Sequence, residues 1–332
     1  MEKYVKMNSP FTGGKVKEIS TIEEHAFRKE VFKVHVRYYV CEDTGEKFTT
    51  THQDELLYND LYTQYRIKHN IPFPDEISAI RKKYGLNLSQ ISKILGFGAN
   101  QYAQYENGQI PSESNGKLIL AARDKNSMTA LLHLSEGNFS TEEFAKIKSS
   151  VLSAEDDTSS RNMNVFFSTS ERSIYNGYTT PDIEKLHGMV KFFSHCTRGI
   201  FPTKLNKMMF YADFINYSLT GSSISGLTYN AIKYGPVPTH YNTIYDNIND
   251  LNREIVIVHE METVKLSCKP FPDMSVFTAS EQNVLERVFE ALEKLTTSEI
   301  IELSHKEDAW INYNQGNKLI PYTEAFTIKL EI

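Results

Sequence analysis

Asn100, Gln101 and Gln104 open a short polar segment, and side-chain amides in such a place can read DNA. Asparagine and glutamine both donate and accept, which matches the N6 and N7 edge of adenine in a bidentate pair. They act only if a helix presents them. Leu86 to Pro111 has that organisation: Leu88, Ile91, Ile94 and Leu95 recur at helical spacing and make one face apolar. Ser89 or Asn87 can cap this first helix. Gly96 and Gly98 break it in a sharp turn. A second helix follows from about Ala99 to Asn107, with Tyr102 and Tyr105 inward and Asn107-Gly108 as a left-handed end. Helix, sharp turn, helix is the arrangement of a DNA-reading module. The plain alternative is a pair of core helices ending in Asn-Gly. Turn, cap and polar face agree on the DNA reading.

Other chemistry is weaker. A hydrolase needs a nucleophile with a base in reach. Cys196, His187, His195, His240, Ser304, His305 and Asp308 are the candidates. His195 and Cys196 are neighbours at a helix end, so their side chains diverge, and a histidine capping a helix accounts for the rest. No glycine loop suited to phosphate occurs, and no cofactor is expected. Two turns, Ser9 to Gly14 and Cys41 to Gly45, have the outline of zinc knuckles, with glycine after a two-residue gap. A zinc ribbon would need cysteine at 9, 12, 41 and 44, and only Cys41 is present, so no metal is expected.

The length of 332 residues implies two or three domains. No leader peptide and no membrane-spanning run is read, which places the chain in the cytoplasm. Three scattered cysteines do not make a disulfide framework. Net charge is −6 overall, but residues 70–125 carry +2 and residues 126–332 carry −8. The positive balance falls on the DNA-reading stretch. The acidic part is better suited to a protein partner than to nucleic acid.

Stepping along the chain, Val31 to Val40 alternates as a strand, and Gln53 to Lys68 reads as a helix. Pro74 to Tyr84 is a capped helix ending in the basic run Arg81, Lys82, Lys83. Ser114 to Arg123 and Met128 to Leu134 complete a five-helix bundle, in which Leu131, Leu132 and Leu134 suit either a core or a dimer seam. Thr141 to Leu152 reads as a connector helix. Ser153 to Thr180 reads as a linker, apart from the apolar cluster Val165, Phe166 and Phe167. Beyond Pro181 the chain is mostly helical. Leu205, Met208, Met209, Ala212 and Ile215 line the inner face of one helix there. A short extended piece runs into the turn Tyr234 to Pro238, a hairpin joins Ile255–Val258 to Thr263–Leu266, and Thr296 with Glu299 forms a capping box.

Two stretches resemble known families. Ser89-Gln90 and Tyr105-Glu106-Asn107-Gly108 resemble the Xre-type helix-turn-helix of repressors and antitoxins, and the glycine turn into Ala99-Asn100 resembles MqsA-type antitoxins. That resemblance implies DNA contacts from Ser89, Gln90, Asn100, Gln101, Gln104 and Asn107. It also implies that the first domain is a zinc ribbon that has lost its metal. Lys204-Leu205, Phe210-Tyr211-Ala212, Ala231, Tyr234-Gly235-Pro236-Val237-Pro238, Ser304-His305 and Ala309-Trp310 resemble the SocA-like Panacea domain. Panacea domains occur in antitoxins, which implies toxin contacts from residues such as Tyr234, Pro236, Val237, His305 and Trp310.

The expected fold is α+β, multidomain and mainly α. It comprises a small N-terminal β-domain over 1–69, a helix-turn-helix bundle over 70–138, a connector and linker over 139–180, and a helical Panacea-like domain with a small β-hairpin over 181–332. The expected function is a non-enzymatic antitoxin of a type II toxin–antitoxin system. Its third domain binds a cognate toxin, and its helix-turn-helix binds operator double-stranded DNA as a homodimer and represses the operon. A proteolytic adaptor, or a transcription regulator without a toxin, is the alternative.

Overall fold

The computed structural model describes residues 2–154, 167, 171–258 and 261–332. It is a mixed α+β chain, with a small N-terminal sheet and mainly helical structure after it. Two compact units form: Met1–Ile22, His35–Leu57 and Ser159–Ile332 in one, Glu23–Val34 and Tyr58–Thr158 in the other.

The N-terminal sheet is antiparallel in the order β1 (Glu2–Asn8), β2 (Lys15–Phe27), β3 (Glu30–Cys41), β4 (Lys47–Phe48). The expected alternation in β3 buries Phe32, Val34 and Val36, because successive side chains point to opposite faces. Helix α1 (Thr51–Lys68) follows. The two knuckles are built alike. Gly13 N–H donates to Ser9 O at 2.8 Å, and Gly45 N–H donates to Cys41 O at 2.8 Å. Both glycines sit at positive φ, +74° and +72°, where a side chain would be strained.

Among the described residues the second unit holds the greater part of α1 and then α2 (Pro74–Lys83), α3 (Leu88–Ile94), α4 (Gln101–Glu106), α5 (Glu113–Ala121), α6 (Lys125–Leu134) and α7 (Thr141–Ser153). Ile77, Tyr84, Ile91, Tyr102, Ile119, Met128 and Leu132 share one core. Helix α7, expected as a connector, adds Phe144, Ile147 and Val151 to that same core. Of the three leucines near its end, α6 buries Leu132, half-buries Leu131 and leaves Leu134 86% exposed. The β2–β3 turn clamps the loop after α4, where Arg28 donates to Ile110 O at 2.8 Å and Pro111 O at 3.0 Å. Arg66, near the end of α1, donates to Gly108 O at 2.8 Å and Pro72 O at 3.0 Å. These guanidiniums satisfy loop carbonyls that would otherwise lose water without replacement.

The C-terminal part of the first unit is organised on α9 (Pro202–Thr220), preceded by α8 (Ile183–Cys196). Every residue from Leu205 to Tyr217 is buried. The expected inner face is therefore only part of the story: the helix is enclosed on all sides, as a central core helix is. Around it lie β5 (Tyr229–Ile232), β6 (Gly235–Pro238), α10 (Tyr241–Asp246), β7 (Leu251–Val258), β8 (Met261–Cys268), α11 (Ala279–Leu292), α12 (Thr297–His305) and α13 (Asp308–Ile311). The expected hairpin is β7–β8, extended at both strands. The turn expected at Tyr234 belongs to a second hairpin, β5–β6, in which Ile232 faces Gly235. The capping box of α12 forms as its residues dictate: Thr296 N–H donates to Glu299 Oε2 at 2.7 Å, and Glu299 N–H to Thr296 Oγ1 at 3.3 Å.

Residues 155–166 and 168–170, including Val165 and Phe166, lie outside the described residues. Phe167 is buried in the C-terminal core. Residues 171–180, expected as linker, pack on that domain: Asn176 is buried, Thr179 Oγ1 donates to Ser223 O at 2.8 Å, and Tyr322 N–H donates to Ile174 O at 2.9 Å.

Candidate functional site

The first candidate site is the α3–turn–α4 pair. Asn87 is the N-cap of α3, and the expected choice between Asn87 and Ser89 is thereby made. Its Oδ1 accepts from Gln90 N–H at 2.9 Å, and Gln90 Oε1 accepts from Asn87 N–H at 3.0 Å. This capping box occupies the Gln90 carbonyl in helix formation. Ser89 is exposed on the first turn. Leu88, expected on the apolar face, is 37% exposed at the first helical position instead.

Helix α4 is anchored by its tyrosines. Tyr102 OH donates to Ile77 O at 2.8 Å in the core. Tyr105 is buried edge-on to Phe97, with ring centroids 5.8 Å apart, and its hydroxyl accepts from Gln101 Nε2 at 2.7 Å and Asn115 Nδ2 at 2.8 Å. Gln101 is thus turned along the helix toward Tyr105. Asn100 and Gln104 are exposed and make no side-chain hydrogen bond among the described residues. Asn107 is exposed as well. The structure therefore brings Ser89, Asn100, Gln104 and Asn107 to the surface of one helix pair and gives Gln90 and Gln101 intramolecular work.

Glu106 and Arg81 had no assigned partner in the sequence. They form a two-point ion pair, Nε to Oε1 at 2.7 Å and NH2 to Oε2 at 3.0 Å, and Arg81 also donates to Leu86 O at 3.0 Å. This pair ties α2 to the end of α4. It removes Arg81 from the basic run, where Lys82 remains exposed. The Glu106 carboxylate correspondingly raises the Arg81 guanidinium further, against burial.

The second candidate site surrounds the β5–β6 hairpin. Trp310 Nε1 donates to Ile232 O at 2.8 Å, and His305 stacks on the indole at 3.9 Å and 17°. Pro236 and Val237 are buried, and Lys207 Nζ donates to Pro236 O at 2.8 Å from inside α9. Gly235 admits this approach: a Cβ there would lie 2.6 Å from Lys207 Cε. Of the five residues expected to contact a toxin, four build the hairpin or its clamp. Tyr234, 56% exposed at the turn, is the one open to a partner, and Ile311 beside the clamp is also exposed. Lys204, part of the same pattern, caps the end of α11 by donating to Glu293 O at 2.7 Å and Leu295 O at 2.6 Å.

Composition did not single out the polar residues inside α9. Asp213 is fully buried and accepts from Ile224 N–H at 2.8 Å, Ser225 N–H at 2.9 Å, Ser225 Oγ at 2.6 Å and Tyr229 OH at 2.7 Å. Burial pushes this carboxyl up, and the four donors oppose it. Glu307 is likewise buried, taking Tyr211 OH at 3.1 Å and Lys329 N–H at 2.8 Å. Burial pushes the Lys207 ammonium down to about 7. For Lys207 and Asp213 the signal was a charged side chain inside an otherwise apolar helical run, which marks a paired interior group; Glu307, between Lys306 and Asp308, carries no such signal.

Three of the candidate nucleophiles and bases meet separate partners. His195 Nδ1 lies 3.1 Å from Cys268 O, Ser304 Oγ donates to Ile301 O at 2.8 Å, and Asp308 meets Lys329 Nζ at 2.6 Å.

The knuckles set one thiol among hydroxyls. Thr12 Oγ1 donates to Asp43 Oδ2 at 2.6 Å and lies 3.5 Å from Cys41 Sγ. The surrounding Ser9, Thr12 and Thr44 hydroxyls draw the Cys41 thiol down to about 6. A zinc ion needs deprotonated thiolate or imidazole ligands, and one thiol with serine and threonine hydroxyls does not fit it. Treatment with a strong chelator is expected to leave the melting curve of the chain unchanged. About one zinc per chain by elemental analysis, with chelator-induced unfolding, would overturn this.

Both segments that carry these sites match families of antitoxins. Residues 16–125 match the family model of MqsA, the antitoxin component of a bacterial toxin–antitoxin system. Residues 205–311 match that of the antitoxin SocA-like Panacea domain. The chain thus joins an MqsA-type segment to a Panacea domain. No curated protein and no solved structure matches it. No described helix is long and apolar enough to cross a membrane.

Proposed function

We propose that this chain is the antitoxin of a type II toxin–antitoxin pair. The observation that carries the reading is the fusion itself: two segments, each matching an antitoxin family, in one chain. The C-terminal domain binds the cognate toxin directly and holds it inactive, without catalysis. The contact is centred on the exposed Tyr234 and Ile311, with the buried clamp beneath them holding the hairpin rigid. A preorganised hairpin loses little freedom on binding. The negative balance after residue 125 favours a toxin with a basic surface, chiefly through association rate. The test is co-expression in the cytoplasm with the product of the adjacent open reading frame. Full-length chain should restore growth and co-purify with the toxin, and Tyr234→Asp with Ile311→Asp should lose both while melting normally. Rescue that requires a host protease would make it an adaptor, and no rescue at all would make it a regulator.

The α3–α4 pair would bind operator DNA and repress the operon. A single module covers too little DNA for high specificity, so two chains bind half-sites separated by about one helical turn, roughly 10 bp, or a multiple of it. Leu134 on α6, exposed as it is, is the candidate for the seam. Asn100 and Gln104 would read base edges, and each bidentate amide–adenine pair contributes about 1–3 kcal/mol of discrimination. Asn100→Ala and Gln104→Ala should therefore flatten preference for the operator while leaving random-sequence binding nearly unchanged. A titration in which operator and random DNA weaken equally would reduce both residues to scaffold.

A further inference from the structure

A cavity of about 280 Å³ lies in the first unit, between the base of β2–β3 and the C-terminal helices. Its walls include Ile215 and Leu219 of α9 and Phe326 of the closing 3-10 turn, and two arginines, Arg37 and Arg287, line it with Glu18. Phe326 is held in place by His35, which stacks on it at 3.7 Å and 14°. Arg37 also lies over that ring, its Cζ 4.9 Å from the Phe326 centroid. Among the described residues neither guanidinium has a hydrogen bond or an ion pair. Burial disfavours the Arg37 cation, and Glu18 offsets this through space without reaching ion-pair distance. A half-buried guanidinium beside an apolar wall is a recognition element for a planar anion.

We propose that this cavity binds a small carboxylate with an apolar body, its carboxylate between Arg37 and Arg287 and its body against Ile215, Leu219 and Phe326. A carboxylate presents two coplanar oxygens to the guanidinium fork. The volume sits near the lower end of about 300–1,000 Å³ for ligand pockets, so the body is short. The same chemistry is offered by a medium-chain fatty acid and by the free C-terminus of a peptide ending in an apolar residue.

The experiment is calorimetric titration of the full-length chain with octanoate, N-acetylphenylalanine, N-acetylphenylalaninamide and octyl phosphate. One or both carboxylates should bind at one site per chain, with octanoate stronger if the source is lipid and N-acetylphenylalanine stronger if it is a peptide end. The amide should not bind, and octyl phosphate should bind more weakly than octanoate. Arg287→Gln is an exposed change that leaves the fold alone, and it should weaken binding about tenfold, the effect of one charged hydrogen bond. Arg37→Gln, checked by its melting curve, should weaken it at least as much. Failure of both carboxylates to bind, equal binding of acid and amide, or affinity unmoved by Arg287→Gln would each overturn the proposal.

Discussion

Asp213→Ala is expected to unfold the C-terminal core at denaturant concentrations that leave the parent protein folded. The substitution strands four buried donors at once: two backbone N–H groups of Ile224 and Ser225, the Ser225 hydroxyl and the Tyr229 hydroxyl. Each buried donor left without an acceptor costs about 1–3 kcal/mol, and relaxation recovers part, so the net loss is about 3–5 kcal/mol. Against a domain stability of about 5–15 kcal/mol this is a large fraction. Asp213→Asn should lose less, because its remaining oxygen still accepts from the two N–H groups and both hydroxyls can reorient. The chain has one tryptophan, Trp310, and it lies in this domain, so its fluorescence during urea unfolding reports on this core. A midpoint for Asp213→Ala within experimental error of the parent would show that water replaces the carboxylate, and that α9 is not held as described.

The second large effect is a pH dependence. Lys207 is fully buried, with its ammonium directed at Pro236 O, and burial brings it down to about 7. An unfolded lysine titrates near 10.4. Between these values the unfolded chain binds more protons than the folded one, so stability rises with pH through that window. Below about 7 both states carry the proton and the penalty of the buried charge is present in full. From pH 7 to pH 9 the Trp310 transition should therefore gain on the order of 2 kcal/mol. Lys204 is lowered by burial too and contributes a smaller part of the same slope. Lys207→Met removes the titrating group and should flatten most of the rise, with higher stability than the parent at neutral pH and below. An unchanged slope in Lys207→Met would assign the pH dependence elsewhere.

What the sequence determined by itself is local. The alternation of β3, the two glycine knuckles, the α12 capping box and the break after α3 all follow from interactions within a few residues, and each is found where the residues place it. Tyr102 and Tyr105 are buried as their spacing requires. The tertiary structure decided whatever depends on a partner far along the chain. Periodicity assigned α9 one inner face, and the elements packed around it made every face inner. Lys207 meets Pro236 across 29 positions, and Tyr211 meets Glu307 across 96. The same distance effect sorts the candidate contact residues. Gln101 has the residue type of a base reader, yet it is turned onto Tyr105, whose hydroxyl also takes Asn115 from α5. Pro236 and Val237 have the look of an exposed rigid turn, yet Lys207 and Trp310 bind the hairpin's carbonyls and both residues are buried, leaving Lys233 and Tyr234 exposed at its tip. Spacing along the chain determines which side of a helix or strand a residue occupies. Whether that side meets solvent or another element depends on packing, because burial is a property of the neighbours and not of the residue.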